Sequence, residues 1–434
     1  MTSALLTDRY ELTMVEAALK AGTASRRSIF EVFARHLPNG RRYGIVAGTG
    51  RLIEQISNFR FGDAELGWLR EHYVVDANTL DWLANYRFTG DVWGYQEGEV
   101  YFPGSPILIV EATFAEAVVL ETLALSILNY DSAVASAASR MVCAAEGRPI
   151  AEMGSRRANE FAAVAAARAA YIAGFNATSN LEAGRSWGVP TMGTAAHSFT
   201  LLHDSEEDAF RAQVAALGPE TTLLVDTYDV TAAVSLAVKI AGPSLGAVRI
   251  DSGDLPGQAA AVRKQLDQLG ATKTKITVTS DLDEFAIAAL RAAPVDSYGA
   301  GTSVVTGSGA PTAGMVYKLV ARVGDDGNWV SVAKRSKSKI SVGGRKRPIR
   351  KISGGIANAE VLHVDDDPST VEQSTDSGRE LLVRLMKDGV ADERFLGIPG
   401  TSLARRHCAD AVAELPVDAF RLTRGEPVIP TLYD

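Results

Sequence analysis

Along the middle of the chain, short apolar runs recur, and each breaks into polar residues at its C-terminal end. The runs are "VPTMGT" (189–194), "TTLLVDTYD" (221–229), "GAVRIDSGD" (246–254), "KITVTSD" (275–281) and "VDSYGAGTS" (295–303). A continuous apolar run of this length suits a strand covered on both faces. Most of the gaps hold amphipathic stretches of helical length, such as "LPGQAAAVRKQLDQLG" (255–270). This alternation predicts parallel βαβ units. The polar ends supply Thr194 and His197, Asp226, Arg249 and Asp251, Ser280 and Asp281, and Gly301 and Thr302. In a (β/α) barrel all strand C-termini reach one rim, whereas an open doubly wound sheet collects ligands only at its switch point. Successive strands with chemistry at the same end favour the barrel.

The flanking segments have a different pattern. "ELTMVEAALKAG" (11–22) has helical periodicity, and residues 28–48 read as a strand, a Pro-Asn-Gly turn and a second apolar segment. Residues 89–113 alternate β-rich pieces with Gly and Pro turns, as in a small antiparallel sheet. After about 315, "GMVYKLVARV" and "WVSVAKRS" flank "GDDGN", a hairpin signal, and "AEVLHV" and "ELLVRLMKDG" follow. These late strands are expected to join the N-terminal sheet. The organisation expected is 1–125 as an N-terminal helix and sandwich domain, 126–312 as the barrel, and 313–434 as a β-rich segment packing with the first.

Composition narrows the function classes. The 434 residues are 46% hydrophobic and 22% charged, ordinary for a globular protein, and the net charge of −8 argues against broad nucleic-acid binding. No run of about 18 apolar residues is seen, so no membrane span is expected. Asp8, Arg9 and Glu11 interrupt the place where a signal peptide needs its apolar core, and a cytoplasmic location is expected. Cys143 and Cys408 form no CxxC pair, which excludes a zinc ribbon or a disulfide framework. "GTSVVTGSG" does not have Walker spacing.

Several clusters carry candidate chemistry. In "VRIDSGDL" (248–255), Arg249 offers a planar fork suited to carboxylate or phosphate, while Asp251 and Asp254 suit Mg²⁺ or sugar hydroxyls. His197 in "GTAAHSF" lies just past a strand end, where imidazole can serve as acid, base or nucleophile. "YGAGTSVVT" (298–306) combines Gly301 and Thr302 in a phosphate cradle. "GSRRAN" (154–159) is expected to place Arg156 and Arg157 at a helix N-terminus, where an anion would be drawn. The segment 334–351 holds nine basic residues and no acidic one; a lid over an anionic ligand and a solvated face are both open readings. Together the clusters describe a ligand with phosphates, a sugar and a carboxylate.

"LLTDRYELTM", "FEVFARHLPNGRRYGIVAG", "LNYDSAVASAASR", "GSRRA", "GTAAHS", "LLVDTYD", "VRIDSGDL" and "GAGTSVV", in this order and nearly end to end, resemble the nicotinate phosphoribosyltransferases. The resemblance implies transfer of phosphoribose from 5-phosphoribosyl 1-diphosphate (PRPP) to nicotinate, giving nicotinate mononucleotide and pyrophosphate in NAD salvage. It implies an α/β fold, an incomplete TIM-like barrel plus an open-faced α/β sandwich. Mg²⁺ is expected as cofactor and ATP as co-substrate, coupled ligase-fashion through a phosphohistidine at His197. A homodimer with its active site at the subunit interface is expected. On the same resemblance Tyr10 stacks on the pyridine ring, with Thr194 beside it, and Arg249 holds the carboxylate. Gly301 and Thr302 bind the 5-phosphate end, and Arg156, Arg157 and basic lid residues take the diphosphate. Asp251, with Asp226, is the candidate for ribose or Mg²⁺. Asn180 stands where nicotinamide-using relatives have Asp, so a carboxylate substrate is favoured. Two departures stand out: Met153 in place of the usual Phe, and Ala177 in place of the usual Gly. Nicotinamide or quinolinate transfer, or a non-catalytic nucleotide-binding relative, are the alternatives.

Overall fold

The computed structural model describes residues 4–334, 341–365 and 378–434. Its chain divides into two compact units. One gathers the chain up to Ser136 and from Ala310 onward, and the other is Ala137–Gly309.

The first unit is built on a seven-stranded antiparallel sheet. Its order is Trp329–Ser331, Met315–Val323, Arg27–Ala34, Leu108–Thr113, Asp91–Tyr95, Leu382–Lys387 and Val390–Ala391. Strand periodicity sends neighbouring side chains of Arg27–Ala34 to opposite faces. Phe30, Val32 and Ala34 enter the large core, while Ile29 meets Ile109 and Val320 on the other side. A four-stranded sheet orders Arg379–Glu380, Arg345–Ser353, Ile356–Asp365 and Thr431–Tyr433. The helices Thr49–Asn58, Asp63–Glu71, Ala77–Ala84 and Gly397–Ala413 were not indicated by the periodicity.

The basic segment departs from the expectation of a lid. Residues 335–340 lie outside the described residues, and most of the remainder is the strand Arg345–Ser353. Three of its cations are answered from within the unit. Lys346 Nζ lies 2.8 Å from Glu31, Arg345 2.6 Å from Glu111, and Arg350 2.7 Å from Glu360. Lys346, Arg350, Glu31 and Glu360 are all buried. Burying such charges is tolerable only when each is paired, so Arg345, Lys346 and Arg350 are partnered strand positions.

The second unit carries a six-stranded, wholly parallel sheet ordered Ala177–Thr178, Ile150–Glu152, Ser297–Ala300, Lys275–Val278, Ala247–Ile250 and Thr222–Leu224. The strand latest in sequence therefore pairs with the earliest, as in a barrel, and the sheet is a curled parallel half-barrel. "VPTMGT" contributes less than expected. It makes one parallel bridge, Thr191 to Thr178. Pro190 has no N–H for a ladder, and Thr222–Leu224 remains an edge of the sheet. Side-chain caps start the covering helices: Asn159 before Glu160–Ile172, Ser205 before Glu206–Leu217 and Asp229 before Val230–Ala241.

Among the described residues one helical stretch, Phe114–Ala145, is long and apolar enough to cross a bilayer, contrary to the expectation from the sequence. However, 67% of its most apolar window is buried inside the protein, as in a core helix.

Candidate active site

Alternation along the strands of the half-barrel decides which side chains face inward. In Ala247–Ile250, Val248 and Ile250 are fully buried, and the opposite parity carries Arg249 and then Asp251 into a cleft. Ile276 and Val278 are likewise buried, and Thr279 reaches the same cleft. The cleft, of about 260 Å³, is lined by Met153, Arg156, Arg157, Arg249, Asp251, Thr279, Ser280, Asp281, Gly299, Gly301 and Thr302. It lies at the C-terminal ends of the strands.

Arg249 donates from Nη1 to Thr194 Oγ1, so the two residues expected beside a pyridine ring are in contact. Its Nε is buried with no partner among the described residues. Burial lowers the Arg249 pKa, and Asp251 and Asp226 act in the opposite direction; a guanidinium stays charged regardless. Asp226 acts mainly as a support. Its Oδ2 accepts from the Asp251 N–H at 3.0 Å and from Ser252 Oγ at 2.7 Å, and Thr279 Oγ1 donates to Asp251 Oδ1. These bonds fix the turn after the strand, where Gly253 takes a left-handed φ of 85° suited to glycine.

His197 opens the short helix His197–Leu202 and is half exposed. Its Nδ1 is 3.1 Å from Thr227 Oγ1, which orients the ring. Nε2 stands 3.9 Å from Asp226 Oδ1 and 4.0 Å from Asp251 Oδ2. His197 does not line the cleft itself, but it faces one of the carboxylates that does.

The position of the arginine pair differs from the expectation. Arg156 and Arg157 lie on a single 3-10 turn, Ser155–Arg157, and the α-helix begins afterwards at Glu160. Alanine, asparagine and the cap hydrogen bonds intervene, so the pair does not occupy that helix's N-terminus. What aims the turn is Glu152, fully buried at the end of its strand, which accepts from the Gly154 N–H and from Thr178 Oγ1. Burial raises the Glu152 pKa, and those hydrogen bonds pull it back. Opposite, Gly301 backs closely onto the Met153 carbonyl, since a Cβ there would lie 3.3 Å from that oxygen. Thr302 begins the one-turn helix Thr302–Val305 at the cleft wall.

Asn180 is engaged in folding contacts. Its side-chain oxygen accepts from the Ala183 N–H to cap Leu181–Trp187, and its amide donates to Ser155 Oγ. A cap of this kind is a sufficient reason for Asn at this position. Tyr10 belongs to the first unit, in the first turn of Arg9–Lys20, and the residue is 45% exposed. Burial of its hydroxyl, reinforced by Glu121, pushes its pKa to about 12.

Thr227, Thr279 and Glu152 were missed as contributors. Thr227 follows Asp226 and Thr279 precedes Ser280, so the strand-end rule could have found both. Ser280 has a φ of 126°, a conformation rare for any residue with a Cβ, at the cleft wall. Among the described residues, no group of three or more His, Cys, Asp or Glu side chains is gathered as for a metal ion.

Comparison with known proteins bears on this site. Residues 5–129 match the family model of the nicotinate phosphoribosyltransferase (NAPRTase) N-terminal domain. The chain is 56% identical to nicotinate phosphoribosyltransferase pncB1 of Mycobacterium tuberculosis, over 98% of this chain and 94% of that protein. It is 37% identical to the nicotinate phosphoribosyltransferase of Bacillus subtilis, over 80% and 73%. Among solved structures it is similar to human nicotinic acid phosphoribosyltransferase, with a TM-score of 0.81, 26% identity, and coverage of 99% of this chain and 97% of that one.

Proposed function

The chain belongs to the nicotinate phosphoribosyltransferase family, and on that premise we propose how its residues divide the reaction. The enzyme transfers phosphoribose from PRPP to the ring nitrogen of nicotinate and releases pyrophosphate, within NAD salvage. The observation that carries the assignment of roles is the cleft itself, where Arg249, Arg156, Arg157 and Thr302 meet at one rim of the half-barrel.

Arg249, held by Thr194, takes the nicotinate carboxylate as a fork would. Tyr10 of a second subunit stacks on the ring, in a cytoplasmic homodimer. Gly301 and Thr302 hold the 5-phosphate, and Arg156 and Arg157 neutralise the diphosphate as it leaves. The ring nitrogen is already nucleophilic, so alignment rather than proton removal is the protein's task. A Mg²⁺ ion fits the donor set: Asp251 and Asp226 are two neighbouring carboxylates, and Asp226 Oδ1 is buried with no hydrogen bond among the described residues. Mg²⁺ commonly takes one or two carboxylates and completes its shell with phosphate and water. When bound it would supply charge to the diphosphate. His197 accepts the phosphoryl group of ATP, with Thr227 steadying the ring.

The test incubates the purified protein with nicotinate, PRPP and Mg²⁺, with and without ATP, and measures mononucleotide and ADP together. Nicotinate should outcompete nicotinamide and quinolinate as acceptor. His197→Ala should lose ADP formation while keeping slow transfer at high substrate. Continued ADP release in proportion to product would remove His197 from the phosphoryl role.

A further inference from the structure

Two turns of the half-barrel supply neighbouring parts of the cleft wall, because the strands they follow, Lys275–Val278 and Ser297–Ala300, pair in parallel. The first turn brings Ser280 and Asp281 to the cleft, and the second brings Gly301 and Thr302. Each turn contains a serine in a backbone conformation that few residues with a Cβ adopt. The φ angle is 126° at Ser280 and 52° at Ser308. Such conformations persist only where their surroundings hold them. Local hydrogen bonds do part of this. The Leu282 N–H donates to the Ser280 carbonyl at 2.8 Å, and the Ser308 N–H donates to the Ser303 carbonyl at 2.7 Å. Those bonds shape each turn but tie neither to the other.

Glu284 makes that tie. It opens the helix Glu284–Ala289, three residues after Asp281, and is buried. Asp283 caps the same helix, accepting from the N–H groups of Phe285 at 2.9 Å and Ala286 at 2.7 Å. The Glu284 backbone is thereby fixed at the exit of the first turn. Its Oε2 accepts from the Ser308 hydroxyl in the second turn. Its Oε1 accepts at 2.9 Å from Arg140 Nε, on the helix Glu121–Ala145. All these groups belong to the unit Ala137–Gly309, and Glu284 does not itself line the cleft. A buried ion pair is seldom the most stabilising way to fill a space, since apolar side chains of equal volume often do as well or better. What the carboxylate adds is direction, because each oxygen meets one set partner.

We propose that Glu284 is a positioning residue for PRPP. By joining Ser308 to the turn of Ser280 and Asp281, it sets the spacing of the two turns against which the phosphoribosyl group binds. The inference rests on the reading of the cleft in which Gly301 and Thr302 hold the 5-phosphate. Nicotinate is placed from other strands, by Arg249 and Thr194, so a change in this spacing falls on PRPP and spares the acceptor.

The experiment measures the separate KM values for PRPP and nicotinate, the other substrates saturating, in wild type, Ser308→Ala, Glu284→Gln and the double variant. Ser308→Ala removes one hydroxyl and leaves the Arg140–Glu284 pair intact, so the test stands even if Glu284→Gln folds poorly. Ser308→Ala should raise the KM for PRPP about tenfold and leave that for nicotinate within about twofold of wild type. Glu284→Gln should raise the KM for PRPP at least as much, and the double variant should lie within about twofold of Glu284→Gln, because both substitutions cut one linkage. A KM for PRPP within about twofold of wild type in Ser308→Ala would overturn the proposal, whatever the melting temperature does. A parallel rise in both KM values, or additive effects in the double variant, would overturn it as well. Wild type that makes no mononucleotide from nicotinate and PRPP would instead overturn the reading of the cleft, and this inference with it.

Discussion

At the scale of single residues, the site depends on one parity choice. Because Val248 and Ile250 are buried against the outside of the sheet, Arg249 must face inward, and Thr194 then fixes its fork. A lysine there would keep the charge but reach with one ammonium in place of two parallel donors. Arg249→Lys is expected to lower nicotinate affinity by about a hundredfold, given the strength of charge-assisted bidentate pairs. Calorimetric affinity equal to wild type would take Arg249 out of the carboxylate role. This residue was legible in the sequence, since a charge directly inside an apolar strand has few structural reasons to be there. Asn180 was legible only as a polar residue in a distinctive place; its cap to Ala183 needs the start of Leu181–Trp187 to be known first.

At the scale of elements, the helix Arg9–Lys20 is fastened through Glu11. That fully buried carboxylate accepts from the Thr122 N–H at 2.9 Å, from Thr122 Oγ1 and from Thr7 Oγ1. Burial outweighs those bonds and raises its pKa from the ordinary 4.5 to about 6. A raised carboxylate pKa means that the native state resists losing the proton. The contribution is therefore most favourable below pH 4.5 and is lost as the pH rises through about 6. Glu11→Gln should have a melting temperature close to wild type at pH 4.5 and above it at pH 8. Two parallel curves across that range would contradict the assignment. The parallel strands were readable because their apolar runs end in turn residues. The helices between Thr49 and Ala84 were not, because they are short and lie close together, although Thr49–Asn58 buries Leu52, Ile53 and Ile56 on one face. Period alone is weakest in segments of that length.

At the scale of the whole molecule, the first unit joins the two ends of the chain through buried charge. Arg350, fully buried, bridges Glu360 and Glu99 and donates to the Val100 carbonyl at 2.9 Å. Arg379 and His407 also reach Glu99, at 2.6 Å and 2.8 Å. Burial alone would raise the Glu99 pKa, but His407, Arg379 and Arg350 prevail and hold it at about 2. The sign is opposite to that of Glu11. This stabilisation is present above pH 4.5 and is lost as the pH falls toward 2. Arg350→Met keeps much of the volume and leaves two buried carboxylates short of a partner, which should lower unfolding free energy by about 3–5 kcal/mol. Denaturant unfolding within about 1 kcal/mol of wild type would show that the network matters less than its burial implies. None of this was visible beforehand, because Glu31, Glu99 and Glu111, which partner Lys346, Arg350 and Arg345, lie far away in sequence, and a charge run read locally looks solvated.

The order of strands in the seven-stranded sheet bears on how the polypeptide is made. Arg27–Ala34 lies between Leu108–Thr113 and Met315–Val323, so one of its two edges stays bare until that much later strand has been made. Exposed strand edges attract foreign strands. The first unit therefore completes its sheet only once Met315–Val323 is made, whereas Ala137–Gly309 holds all six strands of its own sheet.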